Sequence, residues 1–202
     1  MEDALIILCP YDPHWAALFE RERVSVETAL APWLVGPVEH IGSTSVPGLA
    51  AKPIIDMMAP VTSLSEAAAA IEVVTALGYR NGVHRPQEAH YFFKPGSDNW
   101  WERTHQLHLT EPTSLLWRRR LAFRDALRRR ADYRSRYEQL KRSLAHAHGS
   151  DLVAYARNKD DFINEVLGVH DRTQAPPLTD TRIRDGIGHG DGFGRADPQP
   201  IE

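Results

Sequence analysis

The stretch that most constrains this chain is "HIGSTSVPGLAAKPIIDMM", residues 40–58. Four small residues, Gly42-Ser43-Thr44-Ser45, follow one short apolar run. They precede another, Pro53 to Met58, which carries one carboxylate, Asp56. Small residues between two apolar runs read as strand, turn, strand. A carboxylate inside an apolar strand is costly when both faces are buried. It is tolerated where its face opens on a cleft, or where a cation pairs with it. Side chains alternate along a strand, so Asp56 shares a face with Ile54 and Met58. The turn reads as a phosphate cradle built from backbone N–H groups and the hydroxyls of Ser43, Thr44 and Ser45. It reads equally as a tight connection in which little else fits. Asp56 reads as a metal or substrate ligand, or as an acid paired with Lys52 or Arg103.

The neighbouring segments give this pair a context. Residues 5–8 read as a short strand ended by Pro10. Residues 13–31 read as a helix with Asp12 as its cap and a stripe of Trp15, Leu18, Phe19, Val26 and Leu30. Residues 38–43 and 52–61 are the strands flanking the turn. Residues 63–79 read as a helix capped by Ser63 or Ser65 and ended at Gly78. Residues 88–94 and 102–111 read as a hairpin across "PGSDNWW". On the second of these strands Gln106 and His108 form a polar face, opposite His105, Leu107 and Leu109. Residues 113–169 then read as about three helices, the third capped by Ser150 or Asp151. Strands mixed with helices, followed by helices alone, point to an α+β fold with a helical annex.

The chain has 202 residues and a net charge of -3, with 42% hydrophobic and 25% charged residues, the balance of a globular domain. Its one cysteine, Cys9, excludes an internal disulfide framework. No stretch approaches 18 apolar residues and the start does not read as a secretory leader, so the expected location is the cytoplasm. Charge is nonetheless uneven: residues 118–142 hold eleven Arg or Lys against three Asp or Glu. That run reads as a solvated helix face, or as a nucleic-acid surface. Residues 173–202 hold four prolines, five glycines and almost no apolar side chains, a composition expected to be disordered. Within them "GIGHGDGFG" has no strand before it and no helix after it, so it fails as a nucleotide-binding loop.

With these residues in view, the chain resembles the GrpB family over about residues 5–168. The resemblance is carried by "PYDPHWAALFERE", "EHIGSTSVPGLAAKPIIDMM", "FFK", "THQLHL", "LAFRDALRR" and "YARNKDDFI". Members of that family also occur fused behind dephospho-CoA kinase. The family is in turn similar to the nucleotidyltransferase superfamily that includes polymerase beta. That similarity implies a nucleotidyltransferase-like mixed β-sheet core with helices on one side. It also implies a Gly-Ser turn followed by a strand bearing acidic metal ligands. Gly42 and Ser43 match the turn and Asp56 the first acid. The second acid would fall at residue 58, which is Met58 here.

The resulting expectations are specific. Residues 1–170 form one domain, with a sheet core to about 111, a C-terminal helical bundle over 112–170, and a tail from 171. The expected activity is nucleotide binding with transfer of a nucleotidyl group from a nucleoside triphosphate to a small-molecule acceptor. The alternatives are a non-catalytic nucleotide- or coenzyme-binding module and RNA binding through residues 118–142. Gly42, Ser43, Thr44, Lys52, Lys94 and Arg103 are expected to hold phosphate. Asp56 and His108 are the catalytic candidates. Asp56, Glu39 and His108 are the candidate ligands for the Mg2+ that the superfamily resemblance implies, with Gln106 a further group to examine.

Overall fold

The structure, a computed structural model, describes residues 6–82, 86–96, 102–148 and 158–168. Helix α1 spans His14–Leu30 and buries Trp15, Phe19, Val26 and Leu30. Its start is set by Pro13, whose fixed φ suits a first turn, and by Asp12 Oδ1, which accepts the His14 amide at 2.9 Å. The strands are β1 (Glu39–Ile41), β2 (Ile55–Pro60), β3 (Arg80–Gly82), β4 (His90–Pro95) and β5 (Arg103–Thr110). They form one five-stranded sheet in the order β1-β2-β5-β4-β3. Only the central β2–β5 pair is parallel.

Between β2 and β3 the chain makes α2 (Leu64–Ala67) and α3 (Ile71–Ala76), joined by a 3-10 turn at Ala68–Ala70. One continuous helix was expected here. Three residues per turn align Ala67 and Ala70, both fully buried, against the sheet, which is what the tighter winding achieves. Ser63 caps α2, its hydroxyl accepting the Glu66 amide at 3.2 Å.

The C-terminal helices are α4 (Leu115–Arg129), α5 (Ala131–His148) and α6 (Asp160–Leu167). Ser114 caps α4 by accepting the Trp117 amide at 3.1 Å. The expected caps Ser150 and Asp151, and the tail from residue 171, lie outside the described residues.

Two apolar cores follow from this order. The first packs α1, α2 and α3 on one sheet face through Ile55, Met57, Phe92, Leu107 and Leu109. The second packs the turn segment, through Val46 and Leu49, against Leu127 of α4, Tyr137 of α5 and Phe162 of α6. The second core brings the C-terminal helices to the turn, and with them charged groups that act on the other sheet face. The core helices α1, α2 and α3 thus pack on one side of the sheet, as the superfamily resemblance implies, and the C-terminal helices form the expected annex against the turn.

Two further expectations are corrected. The strand expected at residues 5–8 is reduced, within the described residues, to a single bridge between Cys9 and Ala51. Cys9 and Ala51 exchange both backbone hydrogen bonds, and the next such pair towards residues 5–8 would need an amide at residue 53, which is Pro53. Strand β3, missed in the sequence, is a short exposed edge pairing with Tyr91–Phe93. The pattern "RNG" offers no apolar alternation by which to find it.

Candidate functional site

Strand register decides which side chains can meet. Ile41, Asp56, Gln106 and Phe93 are aligned across β1, β2, β5 and β4, and Glu39, Met58, His108 and Tyr91 form the next row on the same face. His40, Met57, Leu107, Phe92 and Lys94 point to the face covered by α1.

The turn and the carboxylate are in direct contact. Gly42 has φ +69°, and a Cβ built on it would stand 2.1 Å from Asp56 Oδ2 and 2.8 Å from Asp56 Cγ. Only a residue without a side chain allows Asp56 to occupy that space. The adjoining 3-10 turn, Ser43–Ser45, is tied down by its own hydroxyls. Ser45 Oγ donates to Gly42 O at 2.6 Å and Thr44 Oγ1 donates to Ile54 O at 3.0 Å. Thr44 Oγ1 also pairs with His40 Nε2 at 3.1 Å. The Thr44 hydroxyl is thus buried and taken up by the Ile54 carbonyl and His40, in place of the expected phosphate. Ser43 Oγ has a different partner: it accepts from Lys141 Nζ at 3.2 Å, and the same ammonium donates to the Ala50 carbonyl.

Arg103 reaches the same face through a bulge. Lys94 pairs with His105 but the next residue, Pro95, pairs with Arg103, so β5 carries one extra residue there. Strict alternation from His105 would send Arg103 to the α1 face; the extra residue turns it to the Asp56 face. There Arg103 Nη1 donates to the Tyr91 hydroxyl at 2.6 Å, and its guanidinium lies 5.6 Å from the Phe93 ring centroid. Gln106, with its amide nitrogen towards β2, donates to Asp56 Oδ1 at 3.1 Å and accepts from Arg103 Nη1 at 3.2 Å.

The electrostatics centre on Asp56. Burial pushes its pKa from 3.8 up to about 6, against the opposing pull of Arg120, Lys159, Arg103 and Lys52. These cations also act on one another. Burial and then Lys52, Arg120 and Lys141 push Lys159 down to about 7. Burial and Arg103 push Lys52 down to about 8. Lys159 is the residue before α6, where the positive end of the helix also disfavours a cation. The arrangement is several cations crowded around one acid in a poorly solvated place.

Of the expected phosphate ligands, Gly42, Ser43, Lys52 and Arg103 gather at this site. Lys94 does not: its Nζ donates to Glu22 of α1 at 2.8 Å and lies over Tyr79, on the opposite face. His108 is on the correct face but one row along, buried beside Tyr91 at 5.1 Å between ring centroids. Glu39 accepts from Arg124 Nη1 at 2.6 Å. Arg120 and Lys159 were missed as site residues. Their only trace in the sequence is their place in the basic run and in "YARNKDDFI".

The donor set does not fit the pair of magnesium ions that the superfamily resemblance implies. Magnesium needs oxygens at about 2.1 Å in octahedral geometry. Met58 is fully buried between Glu39 and His108, which two strand spacings hold roughly 9–10 Å apart at the backbone. Among the described residues no group of three His, Cys, Asp or Glu could hold a metal ion.

The basic run is largely used internally. Arg124 pairs with Glu39, Arg136 with Glu165 and Arg142 with Glu138. Arg128 and Arg134 donate to backbone carbonyls, and Arg119 to Asn164. A cavity of about 570 Å³ is lined by Tyr11, Phe19, His40, Arg128 and Arg134 among others, with Thr44 and Ser45 of the turn in its wall. His40 there stacks on Phe19 at 4.5 Å, and burial with nearby arginines holds its pKa down at about 3. Among the described residues, no helix is long and apolar enough to cross a membrane.

Two measurements check this geometry. Gly42→Ala places a methyl on Asp56, whereas Gly48 has φ +79° and open space around it. Gly48→Ala is expected to cost about 1–2 kcal/mol for its backbone alone, and Gly42→Ala clearly more, in chemical denaturation. For Asp56, the folded chain keeps a proton that the unfolded chain releases between pH 3.8 and about 6. Its contribution to stability therefore falls as pH rises through that window and stays low above it. Asp56→Asn is expected to raise Tm by several degrees near pH 7.5, an advantage lost by about pH 4.

Residues 5–168 match the family described as GrpB protein. UPF0157 protein PA4798 of Pseudomonas aeruginosa is 35% identical over 168 residues, which cover 83% of this chain and 68% of that protein. UPF0157 protein YqkA of Bacillus subtilis is 35% identical over 154 residues, 76% of this chain but 43% of YqkA, so the chain spans less than half of that curated relative. The crystal structure of conserved protein GrpB from Enterococcus faecalis superimposes with a TM-score of 0.70 at 34% identity, covering 79% of this chain and 94% of that one. With its sheet, its Gly-Ser turn and its Asp56 strand all inside the matched span, the chain belongs to the GrpB family.

Proposed function

We propose that the chain binds a nucleoside triphosphate by its phosphates, on the sheet face that carries Asp56. One observation carries this reading: Lys52, Arg103, Arg120 and Lys159 act together on a single acid that touches a Gly-Ser turn. Crowded, partly desolvated cations are stabilised by a polyanion, and guanidinium and ammonium groups bond phosphate oxygens strongly. Ser43 adds a hydroxyl at the start of the 3-10 turn, held by Lys141.

Transfer of the nucleotidyl group to a small-molecule acceptor is the reaction this arrangement supports. An acceptor hydroxyl or carboxylate oxygen would attack the α-phosphorus, and the bond to the bridging oxygen would break to release pyrophosphate. The hydroxyl proton would pass to Asp56, whose raised pKa suits a base near neutral pH. The cations would stabilise charge building on the phosphates. A second reading, a nucleotide- or coenzyme-binding module without turnover, is favoured by Met58, which leaves the second acid position apolar and fully buried. RNA binding through residues 118–142 is the least supported, because so many of its arginines are paired within the fold.

Titration with ATP and GTP, followed by assay of pyrophosphate release, separates these readings. The expected result is nucleotide binding, with release falling at least 100-fold in Asp56→Asn while binding persists. Binding without release in the native chain supports the module. Binding to RNA alone, with a steep salt dependence, supports the third reading.

A further inference from the structure

We infer that the side-chain cations around Asp56 stand in for the metal ions that the superfamily resemblance implies, so that the site takes its polyphosphate ligand free of divalent metal. This rests on the phosphate-binding reading above and adds to it the charge state of the ligand. The carboxylate beside the turn, Asp56, is already held by Gln106 and packed on Gly42. The acid in the adjacent row, Glu39, is paired with Arg124, and Met58 fills the position between them. Against this stand Lys52, Arg103, Arg120 and Lys159, delivered by the β2 approach, the β5 bulge, α4 and the start of α6.

Coulomb's law sets the direction. A metal ion brought to Asp56 would meet the Arg103 guanidinium, joined to Asp56 through Gln106, and the charges of Lys52, Arg120 and Lys159 that already act on that carboxylate. A free triphosphate relieves that repulsion, whereas a magnesium-complexed one carries two fewer negative charges and relieves it less. Asp56 then serves as a counter-charge that keeps the cations gathered, and takes part in proton transfer only when an acceptor is present. Its removal as a charge should strengthen anion binding. A metal ligand would behave in the opposite way.

The test is calorimetric titration of the full chain with inorganic tripolyphosphate, in EDTA and again in excess magnesium. The expected affinity in EDTA is equal to or several-fold tighter than with magnesium. Lys159→Met and Lys52→Met should each weaken it about tenfold, and Asp56→Asn should tighten it several-fold. Arg136→Gln, at an exposed arginine paired with Glu165 in the second half of α6, should leave it unchanged. Thermal melts confirm that each variant is folded. Tripolyphosphate bound only when magnesium is added, or binding lost in Asp56→Asn, overturns this inference and leaves the phosphate-binding reading standing. No binding in either condition, with ATP also failing to bind, overturns that reading itself. Equal weakening by Arg136→Gln reduces the effect to general surface charge and also overturns the inference.

Discussion

The contact between Gly42 and Asp56 is the constraint on which the rest of the site depends. The carboxylate occupies the volume that any side chain at residue 42 would need, at 2.1 Å from the missing Cβ. The turn must therefore carry a glycine at φ +69°, and the Ser45 and Thr44 hydroxyls hold it in that shape. From that fixed turn, Val46 and Leu49 form the seat for α4, α5 and α6. Those elements in turn deliver Arg120, Lys141 and Lys159. One steric fit thus links the sheet, the turn and the helical part into a single cluster of charges.

This cluster is expensive in the terms of folding. Desolvation pushes Asp56 up and Lys52, Lys141 and Lys159 down. Buried charges of this kind are weak evidence for stability and better evidence for a ligand that the apolar alternatives could not hold. The cavity beside His40 has a different character. It is walled by a neutral histidine stacked on Phe19, and Arg128 is already bonded to the Ser45 carbonyl.

Much of this was legible in the sequence, because periodicity and small residues carry it. The α1 stripe, the strands about the turn, the hairpin, and the polar face of Gln106 and His108 all follow from side-chain alternation. Lys94 and Arg103 show where that logic stops. Both sit on hairpin strands with similar neighbours, yet one extra residue in β5 sends Arg103 to Asp56, while Lys94 goes to Glu22. A bulge leaves no periodic mark. Arg120 and Lys159 were equally hidden, since their role comes from tertiary placement of helices some sixty and a hundred residues beyond Asp56. Thr44 failed for another reason: its hydroxyl was needed by the Ile54 carbonyl and by His40.

The most direct measurement is a crystal structure of the protein grown with a non-hydrolysable ATP analogue. Its phosphates are expected on the Asp56 face, between Ser43 and the group of Lys52, Arg103, Arg120 and Lys159. Phosphates seated in the His40 cavity, with the Asp56 face empty, would contradict that placement.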